Sequence, residues 1–213
     1  MRDIALVCLA DALVGLSYGA IAVGSGLDPW VPIALSLLVL AGASQFLFVG
    51  IVAAGGSPLA AAAAGLLVNA RHLPFGLAVA DAVGSGWRRL VGSHLMNDES
   101  VAFALRQRGR EAQRAAYWVC GLAILVAWNA GVLVGAVAGA AVGEPDALGL
   151  DAAFPAVLLA LVLPSLRDRG TRRAALAGAA VALAATPVAP AGLPVLLGLV
   201  GLLLAGLPRT SRC

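Results

Sequence analysis

The stretch AYWVCGLAILVAWNAGVLVGAVAGAAV, residues 116–142, has no charged side chain and exceeds the roughly 20 apolar residues that a helix needs to cross a bilayer. Five other stretches are also mostly apolar and meet or approach this length: Ile4–Gly24, Val31–Ala53, Leu150–Leu166, Ser57–Gly84 and Ala174–Leu207. The last two of them are interrupted. The 213 residues are 61% hydrophobic and 12% charged, whereas soluble domains carry roughly 25% charged residues. We therefore predict an all-α integral membrane protein, a polytopic helical bundle that forms a single transmembrane domain over residues 1–213.

The distribution of charge predicts the orientation of the chain. All 14 basic residues are arginines, and all except Arg71 lie in the connection 85–116, in residues 167–173 or near the two termini. The connections on the other side carry only acidic residues, among them Asp28 and Glu144. Because arginine-rich loops stay in the cytoplasm, we expect both termini and the basic connection 85–116 to be cytoplasmic. This placement also accounts for the net charge of +3 without a nucleic-acid partner.

The segment Ser57–Gly84 conflicts with this orientation if it crosses the membrane once, because the basic connection would then lie outside. Arg71-His72-Leu73-Pro74 interrupts its helix periodicity, and each arm is about half a membrane span long. We therefore expect a re-entrant hairpin of two half-helices. A single kinked span is the alternative, in which one loop violates the charge rule.

The two halves of the chain also share a pattern. At an offset of 116 residues, Asp28-Pro29 aligns with Glu144-Pro145, and Pro74-Phe-Gly76-Leu77 aligns with Pro190-Ala-Gly192-Leu193. These matches predict an internal parallel repeat, with a first copy over residues 1–84 and a second over 117–207. Transporters built from such repeats bind their substrate at the repeat interface near the bilayer midplane.

Few polar side chains lie at membrane depth, and such residues are usually functional because their burial is costly. The candidates for substrate binding are Asp11, Ser44, Gln45, Asn69, Arg71 and Asp151, and the candidates for proton coupling are His72, Asp98 and Glu99. A zwitterionic amino acid fits this set, since Arg71 offers a fork for a carboxylate and an aspartate can accept an ammonium group. The simpler interpretations are an Arg71–Asp11 structural ion pair, a hydrogen-bonding role for His72, and a solvated face around Asp98 and Glu99.

The motifs Gly42-Ala-Ser44-Gln45-Phe46, Asn69-x-Arg71-His72, Asp98-Glu99 and Asp151-x-x-Phe154-Pro155 resemble the AzlC family in order and spacing. The resemblance implies a bacterial inner-membrane exporter of branched-chain amino acids, driven by the proton gradient and working with a small AzlD-type membrane subunit. No G-x-x-x-x-G-K-[ST] sequence is present, so we expect no ATP binding on this chain, no cofactor and no enzymatic activity.

Two other functions are open at this stage. An intramembrane serine hydrolase would use Ser44, His72 and Asp11, although Gln45 stands where such enzymes favour glycine. A non-catalytic scaffold subunit of a larger complex would explain the small-residue stripes Gly15-xxx-Gly19 and Gly131-xxx-Gly135, but not the cost of placing Arg71 and His72 within the membrane.

Overall fold

The computed structural model describes residues 2–141, 159, 163, 165–189 and 193–204, and within these ranges all regular structure is helical. The α-helices are α1 (Arg2–Gly24), α2 (Trp30–Leu38), α3 (Gly42–Ala53), α4 (Pro58–Asn69), α5 (His72–Ala78), α6 (Ala80–Val83), α7 (Trp87–His94), α8 (Asp98–Leu105), α9 (Arg110–Ala141), α10 (Arg169–Ala185), α11 (Leu193–Leu197) and α12 (Val200–Leu204), with a 3-10 turn at Ser165–Arg167. The all-α prediction is confirmed for this part of the chain. Of these helices, α1 and α9 are long and apolar enough to cross a membrane.

The described residues divide into two compact units. The first contains residues 2–46 and 67–141, and the second contains 47–66 together with the described residues after 152. The boundaries fall inside α3 and α4. The internal repeat stays a prediction, since Asp151, Glu144-Pro145 and residues 190–192 lie outside the described ranges.

The first unit is built on close packing between α1 and α9. A methyl group added at Gly15 would lie 2.7 Å from the Trp128 carbonyl oxygen, and one added at Gly131 or Gly135 would overlap the carbonyl groups of Ala12 and Leu16. These glycines therefore let the two helix backbones approach each other directly, as small-xxx-small stripes do in membranes. Tyr18, Ile21 and Val132 are buried along this contact.

The apolar run Val31–Ala53 is not one helix, which corrects the expectation of a single continuous helix over this run. Helix α2 ends at Leu38 and α3 begins at Gly42. The break brings the Trp128 indole against Gly42, where a methyl group would lie 2.8 Å from the ring atom Cη2. Ser44 and Gln45 therefore lie in the first turn of a new helix, rather than in the second half of a long one.

The segment 57–84 is interrupted close to the predicted place. Helix α4 ends at Asn69 and α5 begins at His72. Pro74 is the third residue of α5, a position whose backbone N–H has no partner within the helix, so the ring is tolerated there. Whether the segment crosses the membrane or turns back stays a prediction.

The second unit contains two small packed groups. Ile51, Ala61 and Ala64 form a buried cluster between the end of α3 and α4. Helix α10 approaches the chain around α12 through glycine, because a methyl group at Gly178 would overlap the Gly198 carbonyl. Asp168 caps α10 by accepting a hydrogen bond from the Thr171 amide at 2.7 Å, and this bond lowers the pKa of Asp168.

Candidate functional site

Gln45 is bonded through both ends of its amide. Its side chain is 2% exposed, Nε2 donates to the Val39 carbonyl at 2.6 Å, and Oε1 accepts from Trp128 Nε1 at 3.2 Å. Carbonyl groups at a helix end need partners outside the helix. Gln45 therefore joins the break between α2 and α3 to the long helix α9.

Ser44 connects this break to the next one. Its hydroxyl donates to the Ala41 carbonyl at 2.9 Å and accepts from Asn69 Nδ2 at 3.1 Å. The bond orients the Asn69 amide, whose Oδ1 is buried and has no hydrogen-bond partner among the described residues. Ser44 bonds to Ala41 and Asn69 and makes no hydrogen bond to His72, so the serine hydrolase triad considered above does not form here.

Arg71 pairs with Asp98, not with Asp11. Arg71 Nη1 lies 2.8 Å from Asp98 Oδ2, and the two side chains are 36% and 44% exposed. The Arg71 Nε is buried without an acceptor in the described part of the chain. The expected Arg71–Asp11 ion pair is therefore wrong, and Asp11 keeps a buried Oδ2 without a partner among the described residues.

Asp98 and Glu99 are placed by a capping box at the start of α8. Asn97 Oδ1 accepts from the Ser100 amide at 2.7 Å, and Ser100 Oγ accepts from the Asn97 amide at 3.1 Å. Both acids follow in the first turn, where the helix dipole favours negative charge. Burial nevertheless raises the pKa of Glu99, and Asp98 adds to that shift while a backbone hydrogen bond and Arg71 oppose it.

An open groove of about 380 Å³ lies beside the break between α4 and α5. Its walls are formed by Asn69, His72, Leu73, Gly76, Leu77, Ala80, Val83, Arg89, Ser93 and Met96. Asn69 and His72 are the predicted site residues among them. His72 Nδ1 lies 2.9 Å from the Asn69 carbonyl oxygen, and it donates to this oxygen in the tautomer that carries its proton on Nδ1.

Sequence reasoning missed Arg89, Ser93 and Met96 as lining residues of this groove. Arg89 belongs to the basic connection, where its charge was interpreted only as an orientation signal. It forms no ion pair within the described part of the chain. The other predicted residues, Ser44, Gln45, Arg71, Asp98, Glu99 and Asp11, do not line the groove, and Asp151 lies outside the described residues.

The breaks at 39–41 and 70–71, with their Ser-Gln and Asn-x-Arg-His side chains, carry the motifs that suggested a family. The family described as AzlC protein matches residues 6–142. This chain belongs to the AzlC family. The matched region includes all of the first unit's described residues except Arg2–Ala5.

Two bacterial relatives are described as a membrane protein and as a transport protein. An uncharacterized membrane protein of Helicobacter pylori strain 26695 is 26% identical over 179 residues, covering 83% of this chain and 78% of the relative. The branched-chain amino acid transport protein AzlC of Bacillus subtilis strain 168 is 25% identical over 174 residues, covering 80% and 68%. No solved structure matches this AzlC chain. Its relatives and its apolar helices support a membrane location.

Proposed function

We propose that this AzlC protein exports branched-chain or similar aliphatic amino acids across the bacterial inner membrane, using the proton gradient and a small AzlD-type subunit. The name of the Bacillus subtilis relative supports amino-acid transport. The direction of transport, the coupling ion and the partner are what the family resemblance implies, and the charge distribution gives the orientation of the chain. The polytopic arrangement with cytoplasmic termini, the re-entrant segment and the repeat belong to the same proposal.

The observation that carries the proposal is the groove beside the broken helix. Among the described residues it combines a buried amide oxygen without a hydrogen-bond partner, an arginine without an ion pair and an apolar wall, which match the three parts of an aliphatic amino acid. Asn69 Oδ1, oriented by Ser44, accepts from the substrate ammonium group. Arg89 donates to the carboxylate through its guanidinium fork. Leu73, Leu77, Val83 and Met96 surround the side chain.

Arg71 acts in this proposal as a positioning residue. Its ion pair with Asp98 ties the break before α5 to the first turn of α8, and Met96, two residues before Asp98, lines the groove. The alternative, predicted from the sequence, is direct contact between Arg71 and the substrate carboxylate. The two roles differ in how Asp98 contributes, and this difference can be measured.

A double-mutant cycle on export rates separates the two roles. If Arg71 acts through Asp98, Arg71→Ala and Asp98→Asn have similar defects, and the double variant is little worse than either single variant. If Arg71→Ala abolishes export while Asp98→Asn is nearly normal, Arg71 contacts the substrate directly and our assignment is wrong.

Arg89 is tested by the same export assay. We expect Arg89→Ala to reduce export at least about 10-fold, and Arg89→Lys to restore only part of it because a lysine cannot reproduce the fork. Arg108→Ala is the matched control, because it removes an exposed arginine of the same connection that does not line the groove. Equal losses of export in the Arg89→Ala and Arg108→Ala variants would show that Arg89 acts only through its positive charge in the connection and does not contact the substrate.

His72, Asp98 and Glu99 remain the proposed proton-coupling residues. His72 is the most direct candidate, because it lines the groove and imidazole side chains commonly act as proton shuttles. In the His72→Gln variant, amino-acid binding should persist while the dependence of export on external pH flattens. An unchanged pH profile would remove His72 from the proton path.

A further inference from the structure

A second, smaller cavity lies beside α6, α7 and α9, and no role has been assigned to it so far. Its volume is about 70 Å³. The lining residues come from the end of α6, the start of α7 and the first turns of α9: Val83, Gly84, Ser85, Arg88, Arg114 and Trp118. None of them except Val83 borders the larger groove, so the two cavities have separate polar groups.

The two arginines of this cavity form no ion pair with a described carboxylate. Asp81 is the acid beside them, and its Oδ2 pairs with Arg110 Nε at 3.3 Å. Arg114 donates through Nη2 to the Asp81 backbone carbonyl at 3.1 Å, which fixes its guanidinium at the cavity and leaves its other N–H groups free. The cavity therefore holds two positive charges and the Ser85 hydroxyl without a neutralising partner among the described residues.

Helix α7, beside the cavity, has one packed face and one face with exposed apolar side chains. One face packs inward, because a methyl group at Gly92 would lie 2.8 Å from the Val83 carbonyl oxygen. Arg88, one turn before Gly92, lines the cavity while its side chain stays exposed, and its guanidinium lies 5.9 Å from the centroid of the Trp87 ring. The outer face exposes Trp87 and Leu90, which are 71% and 77% accessible. A helix that exposes a tryptophan and a leucine next to arginines is typical of a membrane surface.

We propose that this cavity binds the phosphate group of an anionic phospholipid, with α7 lying in the membrane interface. Arg88 and Arg114 donate to the phosphate oxygens, since guanidinium groups match phosphate geometry. The volume accommodates a single phosphate group rather than a large ligand. Trp87 and Leu90 contact the acyl chains beside the headgroup. Basic pockets beside membrane helices recognise anionic headgroups in this way.

The test measures lipid binding to the full chain, purified in detergent, by native mass spectrometry. The probes are phosphatidylglycerol, phosphatidylcholine and inorganic phosphate. The double variant Arg88→Gln/Arg114→Gln removes the cavity charges, and Arg106→Gln/Arg108→Gln removes two exposed arginines that do not line it. Arg88→Gln alone is included because Arg114 also bonds to Asp81, and its loss can affect folding.

We expect the wild-type chain to prefer phosphatidylglycerol over phosphatidylcholine. The cavity variant should lose about 30-fold in phosphatidylglycerol affinity and Arg88→Gln about 5-fold, since each arginine at an anionic surface contributes a factor of about five. The control variant should keep the wild-type preference. Equal losses in the cavity and control variants would show general charge attraction and overturn the site. Saturable binding of inorganic phosphate without a lipid preference would show that the cavity binds free phosphate, and it would contradict the proposal of a phospholipid ligand.

Discussion

At the scale of single residues, the polar side chains near the helix breaks form hydrogen bonds both to backbone carbonyl groups and to other side chains. Gln45 has no free hydrogen-bonding atom facing a ligand, because its amide joins Val39 to Trp128. Asn69 is different, since its Nδ2 is bound to Ser44 while its Oδ1 has no partner among the described residues. Gln45 therefore supports the break, and under our proposal Asn69 contacts the ligand.

Gln45 provides the first prediction. Gln45→Leu leaves the buried Trp128 Nε1 without an acceptor, and an unpaired buried donor costs about 1–3 kcal/mol. The free energy of unfolding in detergent should fall by this amount, whereas Gln107→Leu, at an exposed glutamine, should be nearly neutral. Combining Gln45→Leu with Trp128→Phe should recover part of the loss, because the orphaned donor is then absent. Additive losses in the double variant would argue against the bond.

Glu99 provides a prediction on pH. Burial raises its pKa above 4.5, so the folded state holds the proton more tightly than the unfolded state. Its contribution favours folding below about pH 4.5 and is lost as pH rises through the raised pKa. As the pH rises above about 4.5, the Glu99→Gln variant should therefore lose less thermal stability than the wild-type protein. The control variant Glu111→Gln, at an exposed position, should show the same change of unfolding temperature with pH as the wild-type protein. If the unfolding temperature of Glu99→Gln also changed with pH as in wild type, the burial argument would be contradicted.

The sequence identified part of this site for physical reasons that are easy to state. Asn69 and His72 were predictable because a polar residue inside an apolar run is costly and therefore informative. Arg89 was not, because a charge within an arginine-rich connection has an adequate explanation in topology. The Arg71–Asp98 pair joins residues that no local pattern connects. Its geometry depends on how α8 folds back, which the spacing of the motifs does not encode.

At the scale of elements, the two helix breaks differ in how visible they are. The break before His72 coincides with Pro74, which restricts the preceding backbone and marks a helix start. The break at 39–41 has no proline and no charge, only the sequence Val-Leu-Ala before Gly42. Its supporting contacts come from Ser44, Gln45 and the distant Trp128, so the apolar pattern alone predicted a continuous helix.

The contact between α1 and α9 gives the prediction at this scale. Gly135→Ala places a methyl group onto the Leu16 carbonyl, and overpacking of this kind costs typically 1–3 kcal/mol. We expect a lower unfolding temperature in detergent and a lower yield in the membrane. Ala138→Leu adds more volume on the exposed face of the same helix and should have little effect. A Gly135→Ala protein as stable as wild type would mean that the backbones do not approach as closely as described.

At the scale of the whole molecule, composition predicted the class and the motifs pointed to the family, but neither predicted the architecture. An apolar content of 61% and the long runs required membrane helices, and the motif order pointed to AzlC. Yet only α1 and α9 of the described helices are long enough to cross alone. The remaining apolar segments are short and broken, so their arrangement depends on tertiary contacts, and under our proposal on a small partner subunit.

The measurement that tests the central claim most directly is efflux of a free branched-chain amino acid from cells fed with leucine-containing or valine-containing dipeptides. The chain is expressed alone, with a small AzlD-type partner, and as Arg89→Ala with the same partner. Our account predicts partner-dependent loss of the free amino acid from the cytoplasm, and retention in the Arg89→Ala cells at equal membrane levels of the protein. Retention in wild-type cells with both subunits in the membrane would contradict the account.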